Sequence, residues 1–210
     1  MMKRLAVILG LLALLLPMAA WADTIELTNQ GGTVTFGASG ITSKGSELTS
    51  WGNIVAAKGQ SLGSVSFSTG GFSSGSLWTG GTLSATGSAF DVMGVGPWAK
   101  KLTGQSNNPV ALFVGSFTGP IAWTLDSQNH ANYVFTLSGT IEGTLYTGRM
   151  VTGTTSQTIY AYTDQEPYDH KGTIHMGSTN LTVPEPGTLG LLGTGLIGVA
   201  GMMRRRLFGA

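Results

Sequence analysis

One segment contains a residue pattern that could act in catalysis. Gly71-Phe72-Ser73-Ser74-Gly75 matches the Gly-x-Ser-x-Gly motif of serine hydrolases. In those enzymes the serine occupies a sharp turn between a strand and a helix, which exposes its hydroxyl. No helical pattern follows Ser73, and the segment is so rich in glycine and serine that chance matches are expected. We therefore predict that the chain is not an enzyme. A secreted hydrolase that uses Ser73, or an acidic residue paired with a histidine, is the alternative.

A second candidate site is the acidic segment 164–170, where Asp164, Glu166 and Asp169 precede His170. Carboxylate oxygens from a bent loop are ligands that calcium prefers. The spacing differs from the Asp-x-Asp-x-Asp-Gly calcium loop, and Pro167 stiffens the segment. An exposed acidic loop is the simpler interpretation, with calcium binding by these three carboxylates kept as a hypothesis. No resident cofactor is predicted.

Tryptophans at positions 51, 78, 98 and 123 lie between glycine- and serine-rich stretches. Exposed aromatic rings on a β-sheet can bind sugars, because the C–H groups of a pyranose pack against them. Tryptophan is more often a large, mostly buried core residue, and we predict that role for the set. Trp78 and Trp98 are kept as a candidate platform for an extracellular polysaccharide.

The composition excludes several classes of site. Charged residues make up only 10% of the chain, and its 33 glycines are about twice the usual share. Six basic and nine acidic residues lie between Asp23 and Val183, a net charge of −3 with no basic stripe to hold a phosphate backbone. We therefore predict no nucleic-acid partner. The absence of cysteine excludes disulfides, thiolate catalysis and zinc–thiolate sites.

The N-terminal residues have the three parts of a secretory signal peptide. Two basic residues in positions 1–4 precede an apolar run at 5–16, and Pro17 ends that run. The small residues Ala20 and Ala22 flank Trp21, as at a signal-peptidase site. We predict an N-terminal signal helix that is cut after Ala22.

The C-terminal residues predict a membrane span. Pro184-Glu185-Pro186 is a stiff, non-helical break, and an uncharged stretch of seventeen residues follows at 187–203. As a helix this stretch would be roughly 25 Å long, the short end for a transmembrane helix. The arginine cluster at 204–206 is expected to stay in the cytoplasm, which places everything before it outside.

This order of a Pro-Glu-Pro tripeptide, a glycine-rich apolar span and a terminal arginine cluster resembles the PEP-CTERM sorting signal of Gram-negative bacteria. The resemblance is confined to residues 184–210. It implies that an exosortase, a membrane-embedded transpeptidase-like enzyme, recognises the tail, cuts near the tripeptide, and releases or re-anchors the exported protein. The residues that it assigns to sorting and processing are Pro184, Glu185, Pro186, Arg204, Arg205 and Arg206.

The residues between the two ends predict an all-β domain. No segment keeps a 3.6-residue apolar period over three turns, whereas alternation of polar and apolar residues recurs. Glycine pairs and X–Pro steps separate these segments, as turns do. We predict about ten short antiparallel strands packed as a β-sandwich or jelly roll. The most definite strands are expected at 24–28, 33–36, 64–68, 110–117 and 133–141, and the more continuous apolar run at 110–117 predicts burial on both faces. Shorter strands are expected at 144–146, 150–152, 158–162, 173–175 and 180–183.

The sequence thus predicts a signal peptide at 1–22, an exported β-rich domain at 23–183 and a sorting signal at 184–210. The chain is expected to cross the inner membrane through the secretion translocon. It is then transiently anchored before it reaches the cell surface or the medium. The resemblance implies a structural or interaction protein of the extracellular matrix, such as that of a biofilm. A carbohydrate-binding module and a stably anchored protein with an uncut tail are alternatives.

Overall fold

The structure, a computed structural model, describes residues 23–129, 132–162 and 171–183. These residues form twelve strands and one short helix, which confirms the predicted all-β class. In chain order the elements are β1 (Asp23–Gly37), β2 (Gly40–Trp51), β3 (Ile54–Val55), β4 (Gly63–Ser68), β5 (Phe72–Ser76), β6 (Gly80–Leu83), β7 (Ala89–Gly94), α1 (Pro97–Thr103), β8 (Val110–Phe117), β9 (Ile121–Asn129), β10 (Asn132–Leu145), β11 (Met150–Tyr162) and β12 (Lys171–Val183).

Eight of these strands form a closed barrel in the order β11–β12–β1–β2–β4–β7–β8–β10, because β10 also pairs with β11. The pairings from β1 around to β12 are antiparallel, so neighbouring strands alternate in direction. Strands β9, β6 and β5 branch from the first half of β10, which pairs with β9 instead of β8. The predicted sandwich or jelly roll is not confirmed, since one continuous sheet closes on itself.

Strand β1 is longer than predicted because two glycines lie within it and not in a turn. Gly31 and Gly32 lie within β1 with φ values of 70° and 76°. A Cβ atom at Gly32 would overlap the backbone of β2. Across these two glycines the inward-facing positions change from odd-numbered to even-numbered residues. The segments 24–28 and 33–36, predicted as two strands around a turn, are therefore one strand.

The alternating strand directions define two ends of the barrel. Thr24 and Val183 lie at the same end, which we call the basal end. The segments 52–62, 95–109 and 146–149 connect strands at this basal end. The connections 38–39, 69–71 and 84–88 lie at the opposite, distal end.

Large apolar side chains fill the barrel interior. Toward the distal end, the ring of Phe67 lies 6.2 Å from that of Phe90 and 6.4 Å from that of Phe117. Trp123 stacks on Phe135 with ring centroids 4.4 Å apart. Such contacts between buried rings stabilise the fold beyond the area that they bury. Aliphatic residues fill the basal half, among them Leu27, Leu48, Leu112, Leu145, Val151 and Leu181.

The helix α1 is the one helix among the described residues, and it was not predicted from the sequence. Pro97 occupies its start, and Gly104, with φ 69°, ends it in the left-handed conformation. The described part of the chain contains no helix with the length and apolar character needed to cross a membrane. The predicted signal helix at 1–22 and the predicted span at 187–203 lie outside the described residues.

Candidate functional site

The outer face of β10, β11 and β12 carries side-chain hydroxyl and amide groups in register. Thr140 pairs with Thr154, which pairs in turn with Asn180. Adjacent strands lie about 4.8 Å apart and outward positions repeat about every 6.7 Å along a strand, so the groups form a regular grid. We call this grid the hydroxyl face; it comprises Ser138, Thr140, Thr152, Thr154, Ser156, Ser178, Asn180 and Thr182. The ninth position, at the edge of the grid opposite Thr152, is the exposed acidic residue Glu142.

Two adjoining shallow grooves cross the hydroxyl face. One has a volume of about 420 Å³ and includes Pro120 and Gly139 in its lining. The other has a volume of about 400 Å³ and extends to Thr118, whose Oγ1 lies 3.1 Å from Oγ1 of Thr140. The residues that line both grooves are uncharged, and most of them present hydroxyl groups. The surface therefore offers many hydrogen-bond donors and acceptors and little charge.

A buried polar network lies inside the barrel behind the hydroxyl face. The Nδ2 atom of Asn29 donates to Oε1 of Gln157 at 2.9 Å and to Oγ of Ser46 at 2.7 Å. The Nε2 atom of Gln157 donates to Oδ1 of Asn29 at 3.3 Å and to Oγ1 of Thr155 at 2.9 Å. The hydroxyl of Thr155 lies 2.8 Å from that of Thr179. All five side chains are at most 3% exposed, so this network serves the fold and not a ligand.

The candidate nucleophile Ser73 lies in β5, where its Oγ donates to the carbonyl oxygen of Thr82 at 3.1 Å. The next element along the chain is the strand β6. The serine therefore does not occupy the strand–turn–helix elbow that the hydrolase motif requires. That the protein is not an enzyme stays a prediction.

The two tryptophans proposed as a sugar platform both pack against the core. Trp78 is half-buried, with its ring 4.9 Å from that of Tyr133 and 6.4 Å from that of Phe135. Trp98 is also half-buried, and its Nε1 donates to the carbonyl oxygen of Leu62 at 3.1 Å. Trp78 lies near the branch β5–β6–β9, whereas Trp98 belongs to α1 at the basal end, so they do not form a single platform.

The titratable side chains of the described residues do not form a metal site. Within residues 23–129, 132–162 and 171–183 no three histidine or carboxylate side chains come together to hold a metal ion. His175 stacks on Tyr160 with ring centroids 4.5 Å apart. Burial raises the pKa of Asp91, which lies outside both grooves. The predicted calcium ligands Asp164, Glu166 and Asp169, and the neighbouring His170, lie outside the described residues, so the calcium hypothesis stays a prediction.

The comparison with known families identifies the C-terminal tail. Residues 182–206 match the family model of the PEP-CTERM protein-sorting motif. The match begins inside β12 and ends at the last residue of the arginine cluster. The resemblance drawn from Pro184, Glu185, Pro186 and residues 204–206 is thereby confirmed. No curated protein and no solved structure matches the chain.

The motif implies a protein that is exported and that exosortase sorts to the cell surface. The tripeptide and the arginines lie outside the described residues, as do Ala20 and Ala22 of the predicted signal-peptide site. The positions at which the chain is cut therefore stay predictions. Sequence reasoning found the sorting tail, because its three parts are consecutive in the chain. It missed the hydroxyl face, because strand register assembles that face from three separate segments.

Proposed function

We propose that this chain is a structural or interaction protein of the bacterial cell surface or extracellular matrix, including the matrix of biofilms. The observation that carries the proposal is the PEP-CTERM motif at residues 182–206, directly joined to a folded all-β domain. The chain crosses the inner membrane through the secretion translocon, and its tail anchors it transiently until exosortase cuts near Pro184-Glu185-Pro186. The domain itself performs no catalysis.

The closed barrel suits an extracellular protein without disulfides. The chain has no cysteine, so its folded domain depends on packing and on strand pairing. Each strand of the ring has a partner on both sides, which removes most of the open edges through which sheets aggregate. Such a domain can persist at high local concentration outside the cell.

Replacing Pro184, Glu185 and Pro186 by alanine tests the processing step in the native host. We expect the uncut chain to accumulate in the inner membrane and the shortened chain to disappear from the surface and the medium. Membrane fractionation followed by mass spectrometry measures both species. Pro120→Ala, at an exposed position between β8 and β9, is the matched control and should be processed normally. Normal processing of the triple variant would contradict the proposed role of the tripeptide.

A second proposal is that the hydroxyl face binds an extracellular polysaccharide of low charge. The observation that favours it is the pair of uncharged grooves that share Thr140, Thr154 and Asn180. Rows of hydroxyl and amide groups can exchange hydrogen bonds with successive hydroxyl groups of a glycan chain, directly or through water. This surface replaces the tryptophan platform as the favoured sugar site, because Trp78 and Trp98 are packed against the core.

The double substitution Thr140→Val and Thr154→Val tests the polysaccharide proposal, since valine keeps the shape of threonine and removes its hydroxyl. We expect the affinity of the purified chain for the host's neutral polysaccharide to fall about tenfold, because two hydrogen bonds are lost. Affinity electrophoresis measures the change. The control substitutes two exposed threonines of other strands, Thr33→Val and Thr124→Val. If the two double variants bound the polysaccharide equally well and Trp78→Ala or Trp98→Ala lowered the affinity, the sugar site would lie at the tryptophans and not on the hydroxyl face.

A further inference from the structure

The basal end of the barrel has a distinct charge and surface chemistry. The basal connections 52–62, 95–109 and 146–149 carry four basic residues and no acidic residue. The distal connections 38–39, 69–71 and 84–88 carry no charged residue at all. Exposed acidic side chains lie on the strands near this end: Asp23 and Glu26 on β1, Glu47 opposite Ser64 of β4, and Glu142 opposite Thr152 of β11. The positive charge is therefore concentrated in the connections themselves. The four basic residues are Lys58, Lys100, Lys101 and Arg149, and all are exposed.

Exposed apolar side chains lie among these charges. Val55 is 73% exposed, Met150 is 55% exposed and Val95 is 37% exposed, although large apolar residues are usually covered. Val55 and Val95 belong to basal connections, and Met150 follows Arg149 at the start of β11. Basic side chains interspersed with exposed apolar ones are the composition that binds the interface of an anionic bilayer.

The number of residues between the barrel and the uncharged stretch of the tail limits how far the basal end can lie from a membrane that this stretch crosses. Val183 ends β12 at the basal end, and the uncharged stretch of the tail begins only four residues later, at Gly187. Four residues reach at most about 14 Å when fully extended. If the stretch crosses the bilayer, the basal end must therefore stay close to the surface where the stretch enters. Exposed charges farther apart than the Debye length of about 8 Å in physiological salt are largely screened, so the basic residues act on charged headgroups when the basal end lies on the membrane surface.

We propose that the basal end is a membrane-contact surface that binds anionic phospholipid headgroups while the tail is still anchored. Lys58, Lys100, Lys101 and Arg149 contact the headgroup phosphates, and Val55, Val95 and Met150 enter the interfacial layer. The contact holds the barrel upright and keeps the residues after Val183 against the bilayer, where a membrane-embedded enzyme acts. The inference rests on the proposed function in one respect, since it needs the tail in the membrane. After the tail is cut, the distal end and the hydroxyl face are free for partners outside the cell.

The full chain reconstituted in vesicles provides the test. Because the chain has no cysteine, a single cysteine can be introduced and labelled at Val55, on the basal end, or at Ser39, an exposed residue of a distal turn. Vesicles of phosphatidylcholine, with or without phosphatidylglycerol, carry a quencher on a lipid headgroup. We expect strong quenching at position 55 only in vesicles that contain phosphatidylglycerol, a loss of that quenching in high salt, and weak quenching at position 39 throughout.

Charge reversal identifies the residues responsible. We expect Lys100→Glu with Lys101→Glu to lower the ratio of quenched to unquenched label at position 55 roughly tenfold or more. Lys44→Glu with Lys171→Glu changes the net charge equally at exposed residues away from the basal end, and should leave the ratio unchanged. The inference would be overturned if the two pairs of substitutions had equal effects. It would also be overturned if quenching at position 55 were the same with and without phosphatidylglycerol.

Resistance to alkaline extraction from the vesicles separates this inference from the proposed function. A chain that resists extraction but shows no basal quenching contradicts the membrane-contact surface alone. A chain that is extracted, yet shows basal quenching on anionic vesicles, contradicts the anchoring tail and supports the surface. A chain that is extracted and unquenched contradicts both.

Discussion

Gly40→Ala is expected to lower the free energy of unfolding by about 3 kcal/mol, because both the backbone conformation and the space at this position require glycine. Gly40 has a φ of 126°, which side-chain-bearing residues rarely adopt. A Cβ atom there would overlap the carbonyl oxygens of Thr69 and Gly70 in the connection between β4 and β5. The overlap would also disturb the hydrogen bonds between Ile41 and Thr69, both 2.9 Å long, that join the two distal turns.

Urea unfolding of the purified chain measures the effect, with the melting temperature as a second readout. A loss of this size corresponds to a fall of roughly 6–12 °C in a protein of this length. Gly45→Ala is the matched control, since Gly45 also has a positive φ, 70°, but nothing lies within 4 Å of the added Cβ. It should cost about 1 kcal/mol from backbone strain alone. Equal losses at the two positions would show that the two turns do not contact each other as described.

Gln157→Ala is expected to lower the free energy of unfolding by about 3 kcal/mol, since it leaves buried polar groups without partners. The amides of Gln157 and Asn29 exchange two hydrogen bonds across the barrel interior, at 2.9 and 3.3 Å. Gly177 of β12 lies between them, and a Cβ atom there would overlap both amides. The pair therefore links β11 to β1 through a gap that only glycine leaves open.

Chemical denaturation compares this variant with Ser156→Ala, the neighbouring residue on the exposed face of β11. The control should change stability by less than about 0.5 kcal/mol. If both variants unfolded at the same urea concentration as the natural chain, the interior amide pair would not contribute to the fold.

The sequence predicted the fold class and the bounds of two strands closely, 110–117 for β8 and 64–68 for β4, but not the closure of the sheet. The segment 110–117 was predicted with the bounds that β8 has, because its apolar run is interrupted only by Gly115 and Ser116. Its expected burial on both faces was wrong, since Val114 is 50% exposed on the outer wall. Strand β2 was missed because two serines, Ser43 and Ser46, occupy inward positions where alternation would place apolar residues.

The polar interior explains most of the remaining differences. Thr155, Gln157 and Thr179 are buried, yet in the sequence they look like turn or surface residues, so β11 and β12 were each predicted as two shorter strands. Hydrogen bonds between distant strands satisfy these groups, and a local pattern cannot show such partners. The helix α1 has only seven residues, too few for a helical period; Pro97 and Gly104 were the signals available for it.

The sorting tail could be read from the sequence because targeting signals are recognised as short linear segments. The hydroxyl face and the basal end could not be predicted from the sequence, because both depend on which strands are neighbours. The rows of the hydroxyl face join residues from β10, β11 and β12. The basic residues of the basal end come from three separate connections, and the alternating strand directions bring these connections to one end.

The mass of the C-terminal peptide, from protein recovered from the envelope and medium of the native host, tests the central claim most directly. We expect the chain on the cell surface and in the medium to end near Pro184-Glu185-Pro186, without Arg204, Arg205 and Arg206. Recovery of the chain only from the inner membrane, with its C-terminal peptide intact to Ala210, would contradict processing by exosortase. The tail would then be a permanent anchor.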